Sequence, residues 1–99
     1  HRPDKFLLTH AVDGFSLALD FKVTNGVRAR MSRMLQEFDQ IVLEAGGRFY
    51  FAKNSETSPE TARHFLGAQT VERFKTLKRR TDPNNLLESD LFRRVFGSL

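Results

Sequence analysis

The sequence has no cysteine and no tryptophan, and Tyr50 is the only tyrosine among its 99 residues. Without cysteine there is no disulfide, no thiolate metal site and no thiol nucleophile. That favours a reducing compartment, and a cytoplasmic setting is the expectation. No apolar run approaches the roughly 18 to 20 residues of a membrane span, and the opening His1-Arg2-Pro3-Asp4 does not resemble a signal peptide. The chain is therefore read as soluble. Histidine is scarce too: His1, His10 and His64 lack the i, i+4 or paired spacing of a metal site, so no metal is expected. A glycine-rich phosphate loop and a nucleophile elbow are both missing, which leaves no complete catalytic constellation.

What the chain does have is phenylalanine, ten residues of it. Rings without a polar handle need burial in a core or against a partner. A chain this short buries a smaller share of its surface than a typical domain, so some rings have no place within it, and self-association through them is the consequence. The sequence opens without methionine and turns hydrophobic within six residues, as an excised piece of a longer chain would. Net charge is +4 and the isoelectric point about 10.0. The excess gathers in Arg73, Lys75, Lys78, Arg79 and Arg80, followed by Arg93 and Arg94. Such a run can be a phosphate or nucleic-acid surface, yet no aromatic interleaving accompanies it, and cations near a helix end also complement the dipole. A solvated face is the simpler reading. A small basic phosphate- or nucleic-acid-binding module is the alternative, and an independent α+β domain without a ligand is a third.

Along the chain, Phe15, Leu17, Leu19, Phe21 and Val23 alternate at period two, which predicts a strand over residues 15–23; residues 6–8 read as a shorter one, with Asp13-Gly14 as the turn between. The opposite face carries Ser16, Ala18, Asp20 and Lys22. From Val27 the period changes, and Met31, Met34, Leu35, Phe38, Ile41, Val42 and Ala45 follow the three- and four-residue spacing of a helix of about five turns. Thr24 or Asn25 is the expected cap, and Gly46-Gly47 the expected left-handed stop. Residues 49–52 read as a short strand. Thr57-Ser58-Pro59-Glu60 is a helix start, with Ser58 as cap and Pro59 in the first position. Helices are expected over 59–66, 69–80 and 89–96, with Gly67 and Asp82-Pro83 as breaks.

Lys53 closes the apolar residues 49–52 at the end of a predicted strand, where α/β sheets bring ligands. There it can meet an anionic group, or reach water along its own stem. Tyr50 can donate a hydrogen bond into the same place. Period two directs the two side chains to opposite faces unless the strand ends or bulges between them.

GGRFYFAKNSETSPET (residues 46–61) and FKTLKRRTDPNNLLESDLFRRV (residues 74–95) resemble the C-terminal signature of the vanillyl-alcohol-oxidase superfamily of FAD-linked oxidases. The likeness extends through GFSLALDFKV (residues 14–23) and the long helix, and is nearest to the decaprenylphosphoryl-ribose oxidase, sugar-lactone oxidase and alditol oxidase group. The resemblance implies an α+β piece of a larger flavoenzyme. Residues 1–47 would be the C-terminal part of a substrate (cap) domain, with strands and one long helix. Residues 48–99 would be a short strand and helical segment returning to pack on the FAD domain. It implies FAD as cofactor in the parent, with the fragment alone holding it poorly and lacking activity. The implied partners are the rest of the parent chain and a small alcohol or sugar. Tyr50 and Lys53 fall at the flavin and substrate junction, Lys53 in the catalytic role of stabilising negative charge on the reduced flavin or orienting substrate. Ser16 and Ala18 match cap-strand positions facing the substrate, where the mycobacterial-type oxidases carry Asn and Cys, and these departures count against a sugar-lipid substrate; the long helix, about one turn longer than in those relatives, implies a different cap shape.

Overall fold

The computed structural model describes residues 1–53 and 56–97. Among them, regular structure consists of helices α1 (Arg28–Glu44), α2 (Pro59–Leu66), α3 (Ala68–Thr81) and α4 (Asp90–Val95). The expected α+β class is corrected: among the described residues there is no strand. The period-two row at residues 15–23 forms no ladder and lies open, from Phe15 at 103% exposed through Leu17 at 82% to Val23 at 56%. Alternation marks a row that needs burying, but a strand exists only where a second backbone supplies hydrogen bonds. None of the described residues supplies them. Residues 6–8 instead enter a turn, in which the Phe6 N–H donates to Asp4 Oδ1 at 2.9 Å and the Thr9 N–H to the Phe6 carbonyl at 3.4 Å. Residues 49–52 run into another turn, closed by the Lys53 N–H on the Tyr50 carbonyl at 3.0 Å.

The helices follow their local signals closely. Ser58 Oγ accepts the Thr61 N–H at 3.0 Å, with Pro59 in the first position and Glu60 in the first turn of α2. Ser89 caps α4 in the same way, accepting from Phe92 at 3.1 Å. The α1 end is a Schellman motif: the Gly46 N–H reaches Leu43 O and the Gly47 N–H reaches Val42 O, with Gly46 left-handed at φ 72°. Gly67, at φ 83° and ψ 148°, separates α2 from α3 in a conformation essentially restricted to glycine. The start of α1 differs from expectation. Neither Thr24 nor Asn25 caps it; the Thr24 carbonyl accepts the Val27 N–H in a preceding turn, and Val27 takes the cap position with no side-chain bond.

α2 is the centre of the packing, touched by α1, α3 and α4. The core is Ala62, Leu66, Val71, Val95 and Phe96, with Leu8, Phe51, Phe65, Phe74, Leu91 and Phe92 packed around it. Among the described residues every buried side chain belongs to residues 57–96, and α1 buries none. The Cα radius of gyration, 14.7 Å, exceeds the roughly 13 Å of a compact domain of about 100 residues. No helix among the described residues is long and apolar enough to cross a membrane.

Candidate functional site

The site is set by how residues 48–53 leave α1 and meet the helical core. Phe49 and Phe51 both send their rings to Phe65, with centroids 5.6 and 5.5 Å away, and Phe51 also meets Phe96 at 6.0 Å. Tyr50, between them, is half exposed and lies against His10, ring centroids 4.7 Å apart and planes 39° apart. Alternation thus survives here without a strand: odd positions go to the core and the even one faces away from it. The turn between Tyr50 and Lys53 then reverses the backbone, which removes the two-face restriction on this pair. Lys53 is exposed, and no ion pair among the described residues engages its ammonium. A phenol and a cation therefore share one turn, braced from beneath by Phe49 and Phe51.

Ser16 and Ala18 are placed differently. Both are exposed on the unladdered N-terminal row, and among the described residues no hydrogen bond or ring contact joins either to Tyr50 or Lys53. The four candidate residues are not assembled into one pocket.

Two features of the same region went unpredicted. The Arg48 guanidinium stands over the Phe65 ring at 5.6 Å with its Nε buried and lacking a hydrogen-bond partner. The fully buried Thr57 hydroxyl lacks one as well, while the Thr57 carbonyl accepts from Arg94 Nε at 3.2 Å. Buried orphan donors of this kind are rare in finished cores. His10 also escaped notice, because its contact with Tyr50 spans forty positions. The only local sign was Asp4 with Thr9: Thr9 Oγ1 donates to Asp4 Oδ2 at 2.8 Å and accepts the Ala11 N–H at 3.0 Å, which fixes the backbone on either side of His10.

Three cations of the basic run, Lys75, Lys78 and Arg93, are engaged in local ion pairs. Lys75 meets Glu72 at 3.2 Å. Arg93 meets Asp90 at 2.6 Å and Glu88 at 3.7 Å, and the Asp90 hydrogen bond raises its pKa. Lys78 pairs with Asp82, donates to the Leu87 carbonyl at 3.1 Å and sits 4.9 Å from the Phe92 ring centre. Asp82 also accepts the Leu86 and Leu87 N–H groups at 2.8 and 2.9 Å. The Lys78 hydrogen bond, then the Leu87 amide, hold its carboxyl below the usual carboxylate value. Arg73 and Arg80 line an open groove along α3 with Leu7 and Leu77. The charge counted from sequence therefore overstates what this face offers a polyanion. Among the described residues there is no group of three or more histidine or carboxylate side chains arranged to hold a metal ion.

A family model described as D-arabinono-1,4-lactone oxidase matches residues 2–95. Among curated proteins, the chain is 32% identical over 88 residues to a decaprenylphosphoryl-beta-D-ribose oxidase of Mycolicibacterium smegmatis, covering 89% of this chain and 18% of that protein. It is 33% identical over 84 residues to a Streptomyces coelicolor protein described as an uncharacterized protein in the mprA 5' region, covering 83% of this chain and 20% of that protein. The chain thus spans about a fifth of the length of the curated relatives it matches. No solved structure matches it.

Proposed function

The chain belongs to the D-arabinono-1,4-lactone oxidase family, and from that premise we propose that it is the C-terminal part of an FAD-dependent oxidoreductase. Its reaction is oxidation of a CH–OH group, in a sugar- or alditol-like substrate, by hydride transfer to flavin. The observation that carries this reading is the family match over residues 2–95 together with identity to a named oxidase about five times longer. Within the proposal, residues 1–47 belong to the substrate (cap) domain and residues 48–99 return to the FAD domain. The difference in burial on either side of residue 48 supports that division.

The residues present fit the edge of a flavin. The turn at residues 50–53 carries a phenol and a cation that no ion pair among the described residues engages, with no carboxylate among its four residues, and a buried guanidinium nitrogen without a hydrogen-bond partner lies two residues before it. FAD, held by the longer chain, supplies the hydride acceptor. Lys53 holds its ammonium where negative charge develops, or orients the substrate hydroxyl; Tyr50 donates a hydrogen bond from the same turn. Ser16 and Ala18 line the substrate side once the cap is complete, which requires the row at residues 15–23 to gain backbone partners. The 99 residues alone are inactive.

The test is the intact mass and visible spectrum of the gene product purified from its native host. A chain of several hundred residues with flavin absorption bands is expected; a colourless 11.4 kDa product overturns the reading. In that flavoprotein, Lys53→Ala is expected to slow flavin reduction by about 10²-fold, the scale of removing one electrostatic stabiliser. Stopped-flow absorbance measures it, and an unchanged rate removes Lys53 from the mechanism.

A further inference from the structure

We propose that His10 is a positioning residue for Tyr50, and that residues 4–11 form a clamp setting the direction of that phenol at the substrate pocket; the functional part of this rests on the flavoenzyme reading above. Three observations converge on it. The His10 and Tyr50 rings are 4.7 Å apart at 39°, a separation at which aromatic pairs contribute about 0.5–1.5 kcal/mol beyond their buried area. The backbone that presents His10 is fixed on both sides by the Asp4–Thr9 and Thr9–Ala11 hydrogen bonds. Leu8, two residues before His10, packs against the helical core and ties this segment to the body that carries Tyr50.

The other side of Tyr50 is equally constrained. Phe49 and Phe51 are held by Phe65, so the Tyr50 backbone cannot turn freely. The side chain itself is half exposed, and among the described residues its ring pair is with His10, whose ring is the surface against which the proposal sets the phenol. On its other side His10 meets the His1 ring edge to face, 5.3 Å away. A phenol whose hydrogen bond helps choose among hydroxylated substrates is only as selective as its direction is fixed. The clamp thus acts on substrate affinity through Tyr50, at a distance of forty residues in sequence.

The first test needs no variant. Tyr50 is the only tyrosine, so its ring protons are unambiguous in an NMR spectrum of the 99-residue chain. Nuclear Overhauser effects between the His10 and Tyr50 rings are expected, and their absence overturns the proposal. In the flavoprotein containing this chain, His10→Ala is expected to raise KM for the alcohol about two- to tenfold, the range an aromatic pair supplies, with kcat retained. His10→Phe, which keeps a ring, is expected to restore KM. An unchanged KM in His10→Ala overturns the proposal, and so does failure of His10→Phe to restore it, since the imidazole rather than the ring contact would then be acting. Wild-type flavin reduction in Lys53→Ala with the ring-to-ring effects present would sink the flavin-proximal reading and leave the His10–Tyr50 contact standing.

Discussion

Residues 1–47 and residues 48–97 carry comparable hydrophobic signals and meet opposite fates. In the second region the rings of Phe51, Phe65, Phe74, Phe92 and Phe96 close on one another around Leu66, Val71 and Val95. In the first, Phe15, Leu17, Leu19, Phe21 and Val23 form an equally regular row and stay open, and the long amphipathic α1 buries no residue. Even where the row meets the helix, at Phe21 and Phe38 with centroids 6.3 Å apart, both rings remain more than a third exposed. Periodicity reports what needs covering and does not say what covers it. A helix satisfies its backbone within itself, so the C-terminal region folds on local instruction plus its own apolar faces. A strand depends on a second segment, and the first region holds only one side of that arrangement.

The largest effect that would sharpen the contrast is expected at Phe96. It is 5% exposed and touches Phe51, Phe74 and Phe92, so Phe96→Ala should cost about 3–5 kcal/mol. Whole domains are stable by only about 5–15 kcal/mol, and a small one lies toward the low end, so helicity by circular dichroism should be lost or its midpoint in urea fall steeply. Phe15→Ala, at a fully open position, should leave the same curve in place. Equal losses from the two substitutions would break the comparison.

Several features were legible in advance because their causes are local. Ser58-Pro59, Gly46-Gly47, Gly67 and Asp82-Pro83 each mark a boundary through a cap, a left-handed residue or a missing donor, and the helices begin and end beside them. Tyr50 and Lys53 lie in one turn where a strand was expected, so the period-two rule that would have sent them to opposite faces does not apply. Features that were not legible depend on distance. His10 reaches Tyr50 across forty residues, and Arg48 meets Phe65 across seventeen. The carboxylates that pair Lys75, Lys78 and Arg93 stand at positions that a count of like charges ignores. Thr24 and Asn25 failed as caps because the chain spends residues 24–27 on a separate turn before α1 begins.

An intermediate effect is expected on acidification, and only in the second region. The Asp82 carboxylate organises the α3–α4 connection by holding Lys78 and the Leu86 and Leu87 amides. Its pKa is lowered in the folded chain, chiefly by the Lys78 hydrogen bond and then by the Leu87 amide. The unfolded chain therefore binds the proton first as pH falls. Stability from this group is complete above the ordinary aspartate value of about 3.9 and is lost as pH drops through the lower folded value. Amide exchange at Leu86 and Leu87 should accelerate below that range while α1 amides show no matching step, and Asp82→Asn should abolish the step. A step of the same size in α1 would mean that the two regions unfold together.

The smallest expected change in stability is also the most informative about the open row. Phe15→Ser with Leu17→Ser removes two side chains that touch almost nothing, so the unfolding midpoint of the isolated chain should shift by no more than about 0.5 kcal/mol. Burying each such side chain contributes about 1.5–3 kcal/mol when a partner covers it. The same double substitution should therefore weaken self-association of the isolated chain, read by sedimentation velocity at rising concentration. In the longer flavoprotein proposed above it should destabilise the fold by several times the shift seen in isolation. A negligible shift in the isolated chain beside a large one in the longer protein is what a surface covered from outside these 99 residues produces. If the double variant instead unfolds the isolated chain, the row is already part of a core, and the distinction between the two regions disappears.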